Sequence, residues 1–246
     1  FIDFRFDNDL RGEILNSISD VIDSKSYVLG ENVSHFENEY SKINNIKYTI
    51  GVSSGLDALI ISLKALNIGE GDEVIVASNA YVASWLSISR VGAKIVPVEP
   101  DPNTFNIDTN KIEDKITNKT KAIMPVHLYG QPCDMDKIEF IAKKYSLYIV
   151  EDNAQSHLAK FNSKNTGTFG LINATSFYPT KNLGAIGEAG CITTNDKSLR
   201  DFVIKYRNYG SSQKYVNEIL GSNSRLDEIQ AAILNVKLKY LNDRNC

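Results

Sequence analysis

One lysine and one aspartate, each placed directly after an apolar run, carry the most distinctive chemistry in this sequence. Lys181 follows a run that ends near Ser176 and is itself followed by Gly184, and Asp152 comes after the run 147–151. A lysine amine can hold an aldehyde cofactor such as pyridoxal phosphate as a Schiff base, and a carboxylate can keep a pyridine nitrogen protonated. The pair predicts such a cofactor site. The alternatives are a solvated loop lysine and an aspartate that caps a helix.

Two serines and a glycine provide a candidate anion site elsewhere in the chain. Ser53, Ser54, Gly55 and Leu56 lie between a predicted strand and a predicted helix. The first turn of a helix offers free backbone N–H groups and the positive end of the helix dipole. Gly55 would let the backbone approach an anion closely, because it has no side chain. This junction is the predicted phosphate site.

Short β-branched runs alternate with segments of helical periodicity along the chain. This alternation predicts an α/β domain with a mostly parallel central sheet flanked by helices. The predicted strands cover 48–52, 73–77, 94–98, 121–125, 147–150, 174–177 and 190–194. Predicted helices follow at 82–91, 135–145, 197–208 and 224–241, and the Asn/Ser-rich segment 210–223 is predicted to be a long loop.

This fold class would bring the chemical residues together. In open parallel sheets, ligands bind beyond the carboxyl ends of the strands. Asp152, Ser176 and Lys181 lie at or just past such ends, and so does the segment 53–55. We therefore expect these residues, which are far apart in sequence, to share one edge of the sheet.

Six motifs, taken in their order and spacing, closely resemble the DegT–DnrJ–StrS family of sugar aminotransferases. The motifs extend over nearly the whole chain, at 27–30, 51–59, 126–130, 151–155, 176–184 and 223–228. The resemblance implies the aspartate aminotransferase fold (fold type I) with pyridoxal 5′-phosphate as the cofactor. Residues 1–246 would form the cofactor-binding large domain with an N-terminal arm at about 1–30, and the smaller C-terminal domain of the family is expected to be absent from this chain.

The resemblance assigns roles to the residues around the cofactor ring. Lys181 would be the catalytic residue, which binds the cofactor and then moves the proton at the reacting carbon. Asp152 would face the pyridine nitrogen and so make the ring a stronger electron sink. Gln155 would neighbour the phenolic oxygen of the cofactor, with an exposed turn residue as the alternative.

The resemblance also identifies the residues that would hold the phosphate. Ser176, Gly55 and Leu56 match this part of the family pattern, although many relatives carry threonine where Leu56 stands, so only the Leu56 backbone can donate here. A strand-end serine that merely packs is the alternative for Ser176. Asn223 resembles an asparagine that is donated to the neighbouring subunit, which implies a homodimer with shared sites. A helix N-cap is the alternative for Asn223.

The remaining candidates are aromatic residues and histidines. Tyr81 stands where relatives place a ring over the cofactor, and stacking there would exclude water. Trp85, one helical turn later, is predicted to pack in the core. His127 and His157 are interpreted as packing or substrate-lining residues, because the chemistry requires no acid–base group beyond Lys181.

Composition favours a globular cytoplasmic protein. The 246 residues are 42% hydrophobic and 23% charged, and the net charge of −3 gives no reason to expect nucleic acid or a membrane as partner. No apolar run approaches the roughly 20 residues that span a bilayer, and the N-terminus lacks the pattern of a secretory signal.

The cysteines and the last residues of the sequence support two further predictions. Cys133, Cys191 and Cys246 are odd in number and widely spaced, which predicts reduced thiols and neither a disulfide framework nor a metal site. The segment 237–246 stops inside a predicted helix without a stop signal. The chain is therefore expected to be the large domain of a longer protein.

The resemblance implies that an amino group passes from L-glutamate to a nucleotide-linked keto-sugar. The segments 55–59, 98–101 and 126–131 look most like enzymes that aminate C3 of dTDP-3-oxo-6-deoxyhexoses. Such enzymes supply deoxysugars for surface glycans such as O-antigens or for glycosylated natural products. Amination at C4 of a UDP- or dTDP-4-keto-6-deoxy sugar and a non-catalytic regulatory protein are the alternatives. Dehydrating relatives carry histidine where Lys181 stands, which argues against that reaction.

Overall fold

A computed structural model describes residue 8 and residues 10–245, and in this part of the chain seven strands form one central sheet. Two small hairpins lie outside that sheet. The sheet strands are β1 (Tyr48–Val52), β2 (Glu73–Ala77), β3 (Lys94–Val98), β4 (Thr120–Met124), β5 (Tyr148–Asp152), β8 (Ile172–Ser176) and β9 (Gly190–Thr194). The hairpin strands are β6 (Lys160–Phe161), β7 (Lys164–Asn165), β10 (Ser211–Gln213) and β11 (Val216–Asn217).

The strand order β1-β9-β8-β5-β4-β2-β3 places the predicted site strands side by side. All neighbours are parallel except β9, which is antiparallel to both β1 and β8. Val52 and Ser176 both pair with Gly190, so the carboxyl ends of β1 and β8 meet the start of β9. One edge of the sheet therefore collects the ends of β1, β8, β5, β4 and β2.

Helices cover both faces of the sheet. Alternate residues of β2 show this, because Val74 and Val76 join one buried apolar cluster while Ile75 and Ala77 join another. The helices are α1 (Arg11–Ser24), α2 (Glu31–Asn44), α3 (Gly55–Ala65), α4 (Val82–Arg90), α5 (Met135–Tyr145), α6 (Lys197–Tyr206), α7 (Glu228–Leu238) and α8 (Leu241–Arg244). The structure confirms the predicted α/β class with a mostly parallel sheet.

Some predicted boundaries and loops are wrong. The last long helix begins at Glu228, not at residue 224, and it ends at Leu238 before the short α8. The segment predicted as a long loop at 210–223 contains the hairpin of β10 and β11. Residues 211–217 carry no alternating apolar pattern that would indicate a hairpin, and Ser224 and Asp227 are held by Ser53 and Val28, which are distant in sequence.

The N-terminal part of the chain packs on α7. Leu10 and Ile14 of the first helical segment share an apolar cluster with Ile233 and Val236. Residues 1–7 and residue 9, which belong to the predicted N-terminal arm, lie outside the described residues, as does Cys246. Cys133 and Cys191 are buried free thiols. Among the described helices, none has both the length and the apolar character needed to span a bilayer.

Glu228, the first residue of α7, fixes the start of α2. Its side chain is buried, and its carboxylate accepts the backbone N–H groups of Gly30 (2.7 Å), Asn32 (2.9 Å) and Val33 (2.9 Å). N–H groups in the first turn have no partner inside their own helix, and a negative charge there also suits the helix dipole. Glu228 therefore caps α2 from a distant part of the chain.

Replacing Glu228 by alanine should lower the free energy of unfolding by about 3 kcal/mol, because several buried N–H groups lose their acceptor. Urea unfolding measures the change. Glu31→Ala is the matched control, since Glu31 is an exposed acidic residue in the same first turn of α2. Equal losses in the two variants would contradict the capping role of Glu228.

Candidate active site

Asp152 ends β5 as a buried carboxyl group, 5% exposed. Ser84 Oγ, in the first turn of α4, donates to Oδ2 at 2.7 Å, and the Ala154 N–H donates to Oδ1 at 3.1 Å. Burial raises the pKa of Asp152, and the hydrogen bonds and the positive charge of Lys181 oppose that rise. A buried carboxyl group with neutral donors suits one further cationic N–H partner, such as a protonated pyridine ring. No helix starts at Asp152, so the alternative of a helix cap is wrong.

Lys181 is half-buried and interacts electrostatically with Asp152. Burial lowers the pKa of its amine below the ordinary value, and the Asp152 carboxylate partly offsets this effect. A lowered pKa increases the share of neutral amine at neutral pH, which is the form that attacks an aldehyde. The alternative of a fully solvated loop lysine does not fit this position.

The loop 177–185 that carries Lys181 is closed by its own backbone. The Ala185 N–H donates to the Phe177 carbonyl at 2.8 Å, and the Lys181 N–H donates to the Tyr178 carbonyl at 2.8 Å. Gly184 packs so closely on the Pro179 carbonyl that a side chain there would clash with it. The loop is therefore a defined structure that presents Lys181 at the edge of the sheet.

The predicted phosphate site lies next to this loop. Gly55 and Leu56 open α3, and the side chain of Ser54 caps the helix by accepting the Asp57 N–H at 3.1 Å. A Cβ atom built on Gly55 would lie 2.5 Å from the Cβ atom of Ser176, so only glycine permits this approach. The free N–H groups of the first turn and the Ser176 hydroxyl thus form one cradle suited to an anion.

Asn223 itself is exposed and pairs with Asn208 through an isolated backbone bridge. Its neighbour Ser224 reaches the cradle, where its Oγ lies 3.0 Å from Ser53 Oγ and accepts the Ser53 N–H at 3.3 Å. The N-cap of α7 is Asp227, so the alternative of Asn223 as the cap of that helix is wrong. Donation of Asn223 to a second copy stays a prediction.

Tyr81 and Gln155 border the same edge, Tyr81 after β2 and Gln155 three residues after the end of β5. Tyr81 precedes α4, three residues before Ser84, and is 65% exposed. Gln155 is half-buried, and its side-chain oxygen accepts the N–H of Tyr129 at 2.8 Å. Gln155 is thus a half-buried turn residue with a side-chain hydrogen bond, and its place near the phenolic oxygen of the cofactor stays a prediction. Trp85 lies partly buried against the apolar core, as expected.

His127 is a buried structural residue. The Cys133 N–H donates to its Nδ1 at 3.1 Å, so its Nε2 carries the proton and donates to Glu151 at 2.9 Å. Glu151 also accepts the N–H groups of Gly167 (2.7 Å) and Phe169 (2.6 Å). This network fixes the end of β5, which positions the neighbouring Asp152.

His157 is also buried, but its hydrogen bonds go to the segment around Lys181. The Leu183 N–H donates to Nδ1 at 3.0 Å, so Nε2 carries the proton and donates to the Ser176 carbonyl at 3.0 Å. Burial and the nearby Lys181 charge lower the pKa of His157 to about 4, against the favourable effect of the Ser176 carbonyl. The imidazole is therefore neutral at physiological pH.

Sequence reasoning misses three residues near the site. Ser84 hydrogen-bonds Asp152, Ser224 hydrogen-bonds Ser53, and Lys237 Nζ donates to the Gly184 carbonyl at 2.8 Å. Only Ser84 carries a signal, since it lies three positions after Tyr81 and such residues share one helix face. Ser224 and Lys237 lack any local pattern that indicates their partners.

The described residues fit pyridoxal phosphate at three points. Lys181 offers a half-buried amine of lowered pKa for an aldehyde, and Asp152 offers a buried carboxyl group for a ring nitrogen. The Gly55–Ser176 approach forms the cradle for a phosphate. These three features lie along one edge of the sheet, where β5, β8 and β1 end.

The comparison with known proteins agrees with the geometry of this site. The profile of the DegT/DnrJ/EryC1/StrS aminotransferase family matches residues 8–246. The dTDP-3-amino-3,6-dideoxy-alpha-D-galactopyranose transaminase of Aneurinibacillus thermoaerophilus is 54% identical over 233 residues, which cover 95% of this chain and 64% of the relative. The chain thus spans less than two thirds of that relative.

Two solved structures are similar along almost the whole chain. S. venezuelae DesV in complex with a ketimine intermediate has a TM-score of 0.96 and 44% identity, and the match covers 98% of this chain and 66% of DesV. NtdA from Bacillus subtilis with bound cofactor PMP has a TM-score of 0.90 and 37% identity, with 95% and 54% of the two chains covered.

His157 should make the stability of the protein sensitive to acid. Between its folded pKa of about 4 and the ordinary value of about 6.5, the unfolded chain binds a proton that the folded chain does not. The stabilising contribution is therefore complete above about pH 6.5, is lost as the pH falls to about 4, and amounts to about 3 kcal/mol.

Denaturant unfolding of wild type and His157→Gln at about pH 7 and about pH 4 measures this effect. The wild type should lose about 3 kcal/mol more than the variant over that range. His35→Gln is the control, because His35 is exposed and should leave the wild-type profile unchanged. Parallel profiles for wild type and His157→Gln would show that His157 does not titrate in this way.

Proposed function

Because this chain belongs to the DegT/DnrJ/EryC1/StrS aminotransferase family, we propose that the complete protein is a pyridoxal phosphate-dependent aminotransferase. It transfers an amino group from L-glutamate to a nucleotide-linked keto-sugar. The observation that supports this proposal most is the pair of Lys181 and Asp152, a lysine and a buried carboxyl group that interact at one sheet edge.

When bound, pyridoxal phosphate supplies an aldehyde that takes up and passes on the amino group, and a ring that stabilises negative charge at the reacting carbon. Lys181 would hold the cofactor covalently through its amine. Once free, that amine would hold the proton that moves at the reacting carbon. Its lowered pKa keeps part of this amine neutral and able to accept that proton.

Asp152 would keep the ring nitrogen of the cofactor protonated. A carboxylate in a buried position attracts a cationic N–H group more strongly than it would in water. Ser84 and the Ala154 N–H orient the carboxyl group, so it need not reorganise when charge develops on the ring. Gly55, Leu56 and Ser176 would hold the phosphate, Tyr81 would lie against the ring, and Gln155 would lie near the phenolic oxygen.

The proposed acceptor is C3 of a dTDP-3-oxo-6-deoxyhexose. The A. thermoaerophilus relative, 54% identical, is named for a 3-amino-3,6-dideoxy sugar linked to dTDP. The product would serve the synthesis of surface glycans such as O-antigens, or of glycosylated natural products.

The proposed functional unit is a cytoplasmic homodimer with shared sites. Tyr81, Tyr178 and Ile186 expose large apolar side chains on segments that border the site. Asn223 is exposed on the segment that contacts the phosphate cradle through Ser224. A second copy seated on this side would cover the apolar side chains and exclude water from the cofactor.

Borohydride reduction of the full-length protein tests the role of Lys181. The visible band of the bound cofactor should disappear, and mass spectrometry should find the cofactor attached to Lys181. Lys181→Ala should lose this label and lower turnover at least about 1000-fold, because the catalytic base and the covalent link are both gone. Lys160→Ala, at an exposed lysine, is the control and should retain both. A colourless, unlabelled wild type would favour a non-catalytic regulatory protein.

A substrate panel tests the position of amination. The full-length protein is mixed with L-glutamate and either a dTDP-3-oxo-6-deoxyhexose or a UDP- or dTDP-4-keto-6-deoxy sugar. We expect the 3-oxo substrate to be favoured by at least about 100-fold in kcat/KM, since a misplaced carbonyl loses its alignment with the reacting amine. Turnover of only the 4-keto sugars would assign the protein to C4 amination.

A further inference from the structure

The loop 177–185 is held on one side by His157. The imidazole donates from Nε2 to the carbonyl of Ser176, just before the loop, and accepts at Nδ1 from the N–H of Leu183, beyond Lys181. The two bonds, each 3.0 Å long, join the two sides of the segment across Lys181. His157 is only 2% exposed, so water does not compete for these groups.

The other side of the loop is held by α7. Lys237 is 2% exposed, and its Nζ donates to the Gly184 carbonyl at 2.8 Å. Gln230, on the same helix, both accepts the Ile186 N–H (3.0 Å) and donates to the Ile186 carbonyl (2.9 Å). Helix α7 thus carries two side chains that hold this region: Lys237 bonds the loop at Gly184, and Gln230 bonds Ile186, just after the loop.

The remaining contacts of the loop show why these supports matter. Phe177 packs edge-on against Phe36 and Tyr40, so one end of the loop is anchored in the core. Lys181 lies farther along, where the side chains of Tyr178 and Ile186 are exposed. Without His157 and Lys237, the Ser176 carbonyl, the Leu183 N–H and the Gly184 carbonyl, which lie on both sides of Lys181, would lose their side-chain partners.

We propose that His157 and Lys237 are positioning residues that fix the loop 177–185 and so hold the Lys181 amine in its half-buried place beside Asp152. Neither residue touches the reacting atoms; each acts through the backbone of the loop. The proposal rests on the proposed function, in which Lys181 binds the cofactor.

A neutral imidazole is essential to this arrangement. Nδ1 must be free of a proton to accept the Leu183 N–H, and Nε2 must carry one to donate to Ser176. A second proton would bind at Nδ1. The ring N–H would then face the Leu183 N–H, and two donors cannot form a hydrogen bond with each other. The lowered pKa of His157, about 4, agrees with this geometry.

The first experiment measures the Lys181 amine in the cofactor-free, full-length protein. The pH dependence of its acetylation by limiting acetic anhydride, read by mass spectrometry of the Lys181 peptide, gives the midpoint of its titration. In His157→Phe, which lacks both hydrogen bonds, the midpoint should rise by about 0.5 unit or more toward the ordinary 10.4, because water reaches the loosened amine. The neutral amine near pH 8 then falls about threefold.

Two further substitutions separate the hydrogen bonds of His157. His157→Asn can keep an acceptor for the Leu183 N–H, and His157→Gln can keep a donor for the Ser176 carbonyl. Both should shift the midpoint less than His157→Phe does. If His157→Phe fails to fold, the Lys181 midpoints of these two variants test the positioning role of His157. His35→Phe, at an exposed histidine, is the control and should leave the Lys181 midpoint unchanged.

The second experiment tests Lys237 through the loop itself. Amide hydrogen exchange in the segment 177–187 should accelerate about tenfold or more in Lys237→Met and in His157→Phe, because a loop with fewer fixed contacts opens more often. Lys239→Met is the matched control, since Lys239 is largely exposed near the same helix end. Its exchange should equal that of the wild type.

The outcomes separate this proposal from the proposed function. If Lys181 takes the borohydride label but its midpoint and the exchange of 177–187 match the controls in every folded variant, the positioning role is wrong and the function stands. If Lys181 takes no label in the wild type, the proposed function fails, whatever the midpoints are. A raised midpoint together with faster exchange supports the positioning role.

Discussion

The burial of the Asp152 carboxyl group is the constraint on which the rest of this site depends. A buried carboxylate costs several kcal/mol unless hydrogen bonds and an opposite charge compensate it. Here Ser84 and the Ala154 N–H supply the hydrogen bonds, and Lys181 supplies the charge. The end of β5, the first turn of α4 and the Lys181 loop must therefore all be placed correctly for this one group to be stable.

The same burial links stability to chemistry. The surroundings that raise the pKa of Asp152 lower the pKa of Lys181, because each charged form loses hydration. Each group then gains from the other, and a cationic ring nitrogen would satisfy the carboxylate further. The neighbouring Glu151 is buried too, but His127 and backbone N–H groups satisfy it. Two adjacent carboxyl groups thus have different partners, and only Asp152 remains suited to a ligand.

Much of the fold was predictable, because strand and helix patterns are local. The predicted bounds of β1, β2, β3, β9 and α5 agree with the structure, since each is a short run with a clear period and flanking turn residues. The predicted start of α7 is wrong, because Ser224 is held by Ser53, just after β1, and Asp227 pairs with Val28. No local pattern reports such contacts.

The sequence by itself determined the class of sheet and the shared edge, and it predicted Lys181, Asp152 and the Gly55 junction as site residues, because strand and helix patterns depend on residues close together in the chain. The tertiary structure alone decided which groups complete the site. Ser84 and Asp152 are 68 residues apart, Lys237 and Gly184 are 53 apart, and Glu228 and Gly30 are 198 apart. Hydrogen bonds across such separations follow from how helices pack on the sheet, and many sequences with the same local pattern would place other residues there.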